Sequence, residues 1–235
     1  MKKNLERVVE PELLDELPPQ DRRALRSRLD LQRLNMLMKH PRVMARTLSQ
    51  NLNGAQSPRI VEIGAGDGDF LLRVTRKLQR KWQVGEATLV DRLDAFDPKI
   101  HTDFDNLGWR VHTEVAEVFE WFRQSSPGSS DAIIANLFLH QFRTDALAEM
   151  LQLAAHSTNL FVALEPSRSW LPRLCGHFLW TVGCNDVTRN DARISIRAGF
   201  LEREISALWP DKKEWSLTEH PVGLFSHLFI ALRKD

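Results

Sequence analysis

The sequence has 235 residues, 43% of them hydrophobic and 27% charged, which allows one globular domain with a core and excludes two large independent domains. Its formal net charge of +1 excludes a global attraction to nucleic acid, membranes or acidic partners. The sequence contains neither a signal peptide nor a run of eighteen apolar residues, so we expect a cytoplasmic protein that does not associate with membranes.

The first 53 residues predict a helical segment without strands. A polar lead ends at Pro18 and Pro19, and beyond it apolar residues recur at near-helical spacing: Leu25, Leu29, Leu34 and Met38. His40 and Pro41 break this run before a second short helix over residues 43–52. Residues 21–50 contain eight Lys or Arg and two Asp or Glu. This basic segment has three interpretations, which are a solvated helix face, a lid over an active site and a surface for anionic ligands.

From Arg59 onward, short apolar runs alternate with helical stretches, which predicts a parallel sheet covered on both faces. Five strands are predicted in this part, over residues 59–63, 86–90, 109–112, 131–136 and 160–164. Two more, over residues 215–220 and 224–233, are close enough to pair antiparallel. We therefore predict one α/β domain over residues 54–235, a doubly wound, mostly parallel seven-stranded sheet with a C-terminal antiparallel hairpin. Residues 1–53 are predicted to be its N-terminal helical attachment.

A glycine-rich turn follows the first strand. Residues 59–72 read RIVEIGAGDGDFLL and contain three glycines, Gly64, Gly66 and Gly68. Glycines allow positive φ angles and let a ligand approach the main chain, and a helix that begins near Asp69 presents unpaired N–H groups there. A dinucleotide fingerprint requires glycine or alanine at the position of Asp69. Glu62, Asp67 and Asp69 would repel a pyrophosphate, whereas a ligand with ammonium and sulfonium groups suits them better.

This turn resembles the first motif of the class I S-adenosylmethionine-dependent methyltransferases, an acidic residue followed by G-x-G-x-G after strand one. The resemblance continues in order through roughly residues 59–165. It implies a Rossmann-like fold with S-adenosylmethionine as the cofactor. It also implies that the cofactor contacts five residues of the turn, namely Glu62, Gly64, Ala65, Gly66 and Gly68.

Two later motifs of this family match the second and third strands. Asp91 ends the second strand where the family places the carboxylate that accepts hydrogen bonds from both ribose hydroxyls, and Arg92 follows it. Asp91 could instead be a strand-end or helix-cap residue. The resemblance implies that Glu117 and Val118 flank the adenine ring, with residues 114–115 as the rival register.

The segment over residues 131–142 resembles the fourth motif, which implies that Asn136 and Leu137 contact the methionine end of the cofactor. Methyl transfer from a sulfonium is an in-line displacement, for which an enzyme supplies alignment, a dry pocket and sometimes a base, and which requires no metal ion. His140 is the candidate base, since histidine titrates near neutral pH. Its alternative role is that of a helix cap or a solvent-facing residue.

Substrate-binding residues are predicted beyond the fifth strand. Glu165 and Arg168 follow that strand, at the edge where open α/β sheets bind ligands, and they could orient a substrate or form a structural ion pair. The segments over residues 188–200, 207–210 and 223–229 are similar to a bacterial small-molecule subgroup often found with type III polyketide synthases. That subgroup has Arg-His-Asp-Ala where this chain has residues 189–192. This implies a substrate-binding role for Asp191 and a changed substrate-facing residue at Asn190.

These patterns predict methyl transfer from S-adenosylmethionine to a hydroxyl of a small aromatic or polyketide-like molecule, by a monomer or homodimer. Four tryptophans could form an aromatic wall for such an acceptor, although most buried tryptophans are core: Trp170, Trp180, Trp209 and Trp215. The sequence after Asn136 is not the Asn-Pro-Pro-aromatic of amino-methylating relatives, which favours oxygen as the acceptor. The alternatives are RNA or protein methylation, supported only by the basic segment, and a non-catalytic cofactor-binding partner or sensor, supported by Asn190. Nucleic acid is the less favoured partner.

Overall fold

A computed structural model describes residues 6–52, 54–169 and 183–234. The N-terminal part consists of three helices, α1 (Leu13–Glu16), α2 (Arg22–Leu37) and α3 (His40–Asn51). Strands and helices then alternate in the order β1 (Arg59–Ile63), α4 (Asp69–Leu78), β2 (Gly85–Asp91), α5 (Ile100–Asp105), β3 (Trp109–Val115), α6 (Val118–Gln124), β4 (Ala132–Asn136), a 3₁₀ turn (Leu139–Gln141), α7 (Thr144–Ser157) and β5 (Leu160–Pro166). The last described part contains α8 (Asp186–Ala198), α9 (Glu204–Leu208), a second 3₁₀ turn (Lys212–Glu214), β6 (Trp215–Val222) and β7 (Ser226–Arg233).

The seven strands form one sheet in the order β3-β2-β1-β4-β5-β7-β6. The first five are parallel, and β7 pairs antiparallel with both β5 and β6. β1 lies between β2 and β4, so the strand order reverses at β1, and ligands of open α/β sheets bind beyond the carboxyl ends at such a point. This architecture confirms the predicted doubly wound sheet with its C-terminal antiparallel hairpin and helical attachment.

Successive residues of each inner strand point to opposite faces of the sheet, and each face has its own core. On one face, Ile60 packs in a cluster with residues of α3, α4 and α5, while Val61 packs on the other face with α6, α7 and α9. Trp209 and Trp215 belong to the second cluster, with their ring centroids 5.0 Å apart. Trp170 and Trp180 lie outside the described residues. Two of the four candidate acceptor-wall tryptophans are therefore core residues.

The predicted helix over the basic segment is present, but the first half of its apolar stripe faces outward, while Leu34 and Met38 line a cavity. Leu25 and Leu29 are 46% and 49% exposed, whereas Ser27 and Asp30 are buried. The Asp30 carboxylate accepts hydrogen bonds from Asn185 N at 2.8 Å and from the Thr188 hydroxyl at 3.2 Å. Polar contacts with the start of α8 therefore decide which face of α2 is buried. None of the helices in the described part of the chain is long and apolar enough to cross a bilayer.

The break between α2 and α3 lies at Lys39, which has a φ of +59°. His40 is already the first residue of α3, and Pro41 occupies its first turn. Proline is tolerated there because the N–H that it lacks would have no partner within the helix. The two predicted helices are thus correct, and the break comes just before the predicted His40–Pro41 pair.

Candidate active site

A cavity of about 870 Å³ lies at the carboxyl ends of the parallel strands. One wall consists of the loops that follow β1, β2, β3 and β4, and the opposite wall of residues 9–16, α2 and α8. This volume is within the range of about 300 to 1,000 Å³ that is usual for small-molecule sites. The N-terminal helical segment therefore covers the edge of the sheet at which ligands of this architecture bind.

The glycine turn after β1 lines this cavity with Gly64, Ala65 and Gly66. All three glycines of the turn have positive φ angles, +67°, +58° and +82° along the chain. A Cβ at Gly64 would come within 2.2 Å of the Phe138 ring, whereas a Cβ at Gly66 would meet no atom within 4 Å. Gly68 is buried instead, and a Cβ there would come within 2.7 Å of Leu89. The open space at Gly66 leaves the main chain accessible to a ligand.

Acidic residues surround this turn. Glu62 is 1% exposed, and one carboxylate oxygen accepts a hydrogen bond from Leu71 N at 3.2 Å. Burial raises the pKa of Glu62 well above its usual value, and the carboxylates of Asp67, Asp69 and Asp91 add to this rise. Burial also raises the pKa of Asp67. A bound cation would lower both pKa values, so this wall of the cavity favours a ligand with positive charge.

Asp91 ties the end of β2 to the glycine turn. Its two carboxylate oxygens accept hydrogen bonds from Gly66 N at 2.8 Å and from Leu93 N at 2.9 Å. Each oxygen can accept a second hydrogen bond, so the carboxylate retains capacity for a hydroxyl of a ligand. Arg92 also lines the cavity and donates to the carbonyl oxygen of Asp15 at 3.1 Å. The predicted ribose-binding residues thus lie beside the predicted glycine turn.

The segment between β3 and α6 forms the next part of the wall. Ala116 N donates to the carbonyl oxygen of Asp91 at 2.9 Å, which brings this segment beside β2. Glu117 and Val118 line the cavity, and residues 114–115 do not. Glu114 accepts a hydrogen bond from the indole N–H of Trp121 at 2.7 Å. Of the two registers that the sequence left open, the geometry favours Glu117 and Val118 for contact with a ligand.

Asn136 lines the cavity, but both groups of its side-chain amide contact the N-terminal helices. Its oxygen is 2.7 Å from Nδ1 of His40, and its nitrogen donates to the side-chain oxygen of Asn35 at 3.1 Å. Burial lowers the pKa of His40 to about 4, so the neutral ring donates from Nδ1 and accepts from the Ser226 hydroxyl at 2.6 Å on Nε2. Asn136 therefore connects β4 to α2 and α3. Leu137, with a φ of +54°, also lines the cavity.

His140 is buried between two carboxylates. Its Nδ1 lies 2.8 Å from Glu165 Oε2 and its Nε2 lies 3.0 Å from Glu12 Oε1. Burial lowers the pKa of His140, but the hydrogen bonds and charges of Glu12 and Glu165 outweigh this effect and raise it to about 10. The ring is therefore an imidazolium at neutral pH that donates to both carboxylates. The sequence predicted that His140 titrates near neutral pH. While Glu12 is bonded to Nε2, the pKa of His140 is about 10 instead.

Glu165 and Arg168 lie behind the cavity wall and do not pair with each other. Glu165 is fully buried and accepts hydrogen bonds from the backbone N–H groups of residues 138, 139 and 140 at 3.0, 2.8 and 3.3 Å. Arg168 is 3% exposed and pairs with Glu204 at 2.6 Å. Neither lines the cavity, in contrast to the predicted substrate contacts. Glu165 instead orients the turn that carries His140.

Asp191, the third predicted substrate residue, does line the cavity. Its carboxylate oxygens accept hydrogen bonds from Leu13 N and Leu14 N, each at 2.9 Å. The side-chain amide of Asn190 also donates to it, at 3.1 Å. In this structure Asp191 therefore binds the start of α1.

Residues 7–16, here called the strap, enter this site, which no sequence pattern predicts. Arg7 anchors the strap by donating to the carbonyl oxygens of Ala198 at 2.7 Å, His140 at 3.0 Å and Phe142 at 2.8 Å. Glu12 then reaches His140. These partners are at least 128 residues away along the chain, so no local pattern could have revealed them.

The buried imidazolium makes the stability of the protein depend on pH. The pKa of His140 is about 10 in the folded state against an ordinary value of 6.5, so its contribution is fully present below pH 6.5 and is lost as the pH rises to about 10. We expect the free energy of unfolding to fall more steeply between about pH 7 and 9 in the wild type than in His140→Gln. Urea denaturation at a series of pH values measures both slopes, and equal slopes would contradict the charged state of His140.

No protein-family model matches the sequence, and no curated protein matches it significantly. Solved structures do resemble the fold. An O-methyltransferase family protein from Burkholderia thailandensis is 18% identical, with a TM-score of 0.59, and the match covers 92% of this chain and 61% of that one. The chain thus spans about three fifths of the length of the Burkholderia protein.

Two further structures have a bound cofactor or cofactor product. The plantazolicin methyltransferase BamL, in complex with a triazolic desmethylPZN analog and SAH, is 12% identical with a TM-score of 0.64, over 94% of this chain and 93% of that one. Magnesium protoporphyrin IX methyltransferase from Synechocystis PCC 6803, with bound SAM, is 11% identical with a TM-score of 0.55, over 91% and 85%. The chain therefore has the Rossmann-like α/β fold of S-adenosylmethionine-dependent methyltransferases.

Proposed function

We propose that this chain binds S-adenosylmethionine and transfers its methyl group to a hydroxyl of a small molecule. The observation that carries the proposal is the cavity at the carboxyl ends of the strands, where the open side of Gly66 meets acidic residues suited to a cationic ligand. The Synechocystis methyltransferase of the same fold was solved with SAM bound. Fold alone does not establish function, so the proposal depends on the residues of the site.

The residues along the cavity wall fit the parts of this cofactor in order. Asp91 retains free lone pairs for the ribose hydroxyls, and Glu117 with Val118 lies where the adenine would extend. The acidic wall at Glu62 suits the ammonium and sulfonium groups. Leu137, three residues before His140, would then face the methyl group. When bound, the sulfonium supplies an electrophilic methyl group for an in-line displacement.

The chain itself contributes alignment and exclusion of water. The N-terminal segment acts as a lid, since α2 contacts the glycine turn through the Gln32 side chain, which donates to Asp67 at 2.7 Å. The strap covers the side of the cavity beside His140. Holding two reactants in a productive geometry is worth about 7 to 11 kcal/mol of a barrier. Most of the catalysis would therefore come from closure of this cavity.

The side of the cavity near His140 suits an aromatic or polyketide-like acceptor. Apolar side chains line it together with Gln141, Asp191 and Ser195: Val9, Leu14, Phe138, Phe142 and Ile196. Phe138 and Phe142 pack edge to face with their ring centroids 5.0 Å apart, a geometry that extends readily to a third ring. Such a wall, with a few polar groups, orients a flat molecule that carries a hydroxyl.

Calorimetric titration with S-adenosylmethionine and, separately, with NAD tests the cofactor assignment. We expect binding of S-adenosylmethionine at about micromolar affinity and no detectable binding of NAD, because the acidic turn repels a pyrophosphate. Binding of NAD alone would contradict the proposal.

His140→Ala is expected to lower turnover at least tenfold with little change in cofactor affinity. A positioned base typically contributes about 10²- to 10⁴-fold, and the side chain lies beyond the part of the cavity assigned to the cofactor. Steady-state assays with the best acceptor from a panel of phenols measure turnover, and calorimetry measures affinity. An unchanged rate would remove His140 from the mechanism.

A second candidate function is a cofactor-binding partner or sensor without catalysis. The observation that favours it is that both ring nitrogens of His140 are already bonded to carboxylates. Cofactor binding without turnover of any acceptor, in the strap variants described below as well as in the wild type, would support this alternative.

A further inference from the structure

The strap brings a carboxylate into the part of the cavity assigned to the acceptor. We propose that Glu12 holds the place on Nε2 of His140 that the acceptor hydroxyl takes, so that the strap must withdraw before the acceptor binds. Glu12 is thereby a positioning residue that competes with the acceptor. The inference rests on the proposed function, because it assigns the acceptor to the side of the cavity beside His140.

The contacts of Glu12 leave no room for another ligand on this nitrogen. Its Oε1 lies 3.0 Å from Nε2 of His140 and also accepts a hydrogen bond from the Ser195 hydroxyl of α8. Gln141 lies 3.5 Å from its other oxygen, and the side chain is only 11% exposed. The ring N–H has a single hydrogen to donate. An acceptor oxygen can therefore reach hydrogen-bonding distance of Nε2 only after the carboxylate has moved.

The strap is attached in a way that permits withdrawal. Arg7 holds one end, stacked over the Phe200 ring at 4.6 Å, and Asp191 holds the other through Leu13 N and Leu14 N. No residue from 7 to 16 is fully buried. The strap is thus fixed mainly by polar contacts along its length rather than by packing in a core, and water can replace such contacts when a segment opens.

Withdrawal of Glu12 also changes what His140 can do. Among the described residues, the charged groups that bond the ring are Glu12 of the strap and Glu165 of β5, while Arg7 donates to the His140 carbonyl and Ser195 of α8 bonds Glu12. With Glu12 in place, both ring nitrogens carry protons, so the ring cannot accept another. When the strap leaves, Nε2 releases its proton to water because the Glu12 carboxylate no longer stabilises it, and Nδ1–H remains bonded to Glu165.

The bare Nε2 can then act on the acceptor. The acceptor hydroxyl donates a hydrogen bond to it, the oxygen–methyl bond forms as the sulfur–methyl bond breaks, and the hydroxyl proton moves to Nε2. The products are a methyl ether and a neutral thioether. The ring is again an imidazolium, so the return of the Glu12 carboxylate restores the original ion pair and favours release of the product.

Binding of 4-fluorophenol, a small hydroxyl probe followed by fluorine NMR, tests this competition. We expect the probe to bind at least about tenfold more tightly to Glu12→Ala than to the wild type, because the probe no longer has to displace a carboxylate from Nε2. Glu6→Ala is the matched control, because Glu6 directly precedes the strap, is exposed and does not line the cavity. It should bind the probe as the wild type does. Equal affinity in the wild type and Glu12→Ala would overturn the proposal.

Nitrogen-15 NMR of the histidine rings gives a second measurement that does not depend on turnover. At about pH 8, His140 should carry two protons in the wild type and one in Glu12→Gln, with His140→Gln assigning the signal. A doubly protonated ring in Glu12→Gln would also overturn the proposal. Glu12→Ser, whose short side chain cannot reach Nε2, replaces Glu12→Ala in the probe measurement if the alanine variant does not fold by circular dichroism.

The probe titrations are made with and without S-adenosylhomocysteine. This comparison tests the proposed function separately from the proposed role of the strap. Failure of this compound to bind would contradict the proposed function, while the comparison of Glu12 variants without it still decides the role of the strap. Binding of the compound together with equal probe affinities would contradict the role of the strap alone.

Discussion

Replacing Glu165 with alanine is expected to lower the free energy of unfolding by about 3 to 5 kcal/mol, as is usual when one partner of a buried ion pair is removed. Glu165 is fully buried and bonds Nδ1 of His140 together with the backbone N–H groups of residues 138–140. The variant leaves these donors without their partner. Turnover should fall by about 10²- to 10⁴-fold, because the proposed base, His140, loses its orientation. Urea denaturation and steady-state assays measure the two effects.

Glu149→Ala is the matched control for Glu165→Ala. Glu149 also forms an ion pair, with Arg123 at 2.7 Å, but both side chains are more than half exposed. Exposed pairs contribute about 0 to 1 kcal/mol, so this control should fold and turn over as the wild type does. A loss in Glu165→Ala no larger than in the control would show that Glu165 does not hold the turn of His140.

Gly66→Arg is expected to lower the affinity for S-adenosylmethionine at least about a hundredfold, which corresponds to about 2.7 kcal/mol. The backbone of Gly66 faces open space in the cavity, so the new side chain would occupy the room assigned to the cofactor. Asp91→Ala should lower the affinity at least about tenfold, because it removes the proposed ribose acceptor and the partner of Gly66 N. Calorimetric titration measures both variants.

Gly128→Arg is the control for Gly66→Arg. It shows whether a loss of affinity comes from blocking the cofactor site or from backbone strain at a glycine with positive φ. Gly128 has a φ of +68°, a Cβ there would also meet no atom within 4 Å, and the residue does not line the cavity. The same substitution at this position should leave cofactor affinity unchanged. Equal losses at Gly66 and Gly128 would mean that the glycine turn has no special role in binding.

The fold could be predicted from the sequence because its signals are local. Each inner strand is buried on both faces and therefore appears as an apolar run, as in β1, whose predicted bounds match the structure. The periodicity of α2 predicted a helix but not which face is buried. The buried face depends on Asp30, whose partners Asn185 and Thr188 lie 155 and 158 residues later in the sequence.

The site was only partly predictable, because some of its contacts are local and others join residues far apart in the sequence. The glycine turn and Asp91 follow strands directly, so their meeting at one edge of a parallel sheet could be expected. The ion pair of Glu12 with His140 spans 128 residues, and nothing in the polar lead distinguishes Glu12 from Glu10 or Glu16. Asn136 was predicted at the cavity, but its bonds to α2 and α3 depend on how those helices dock.

The attachment of the strap also determines when the cavity can close during protein synthesis. Arg7 binds Ala198, 191 residues later, and Leu13 binds Asp191, 178 residues later. At translation rates of about 5 to 20 residues per second, the strap leaves the ribosome roughly 10 to 40 s before its partners on α8 exist. A nascent chain can pair β1, β2, β3 and β4 in that interval, but its ligand cleft stays open. The strap can therefore close the cavity only after α8 has been synthesised.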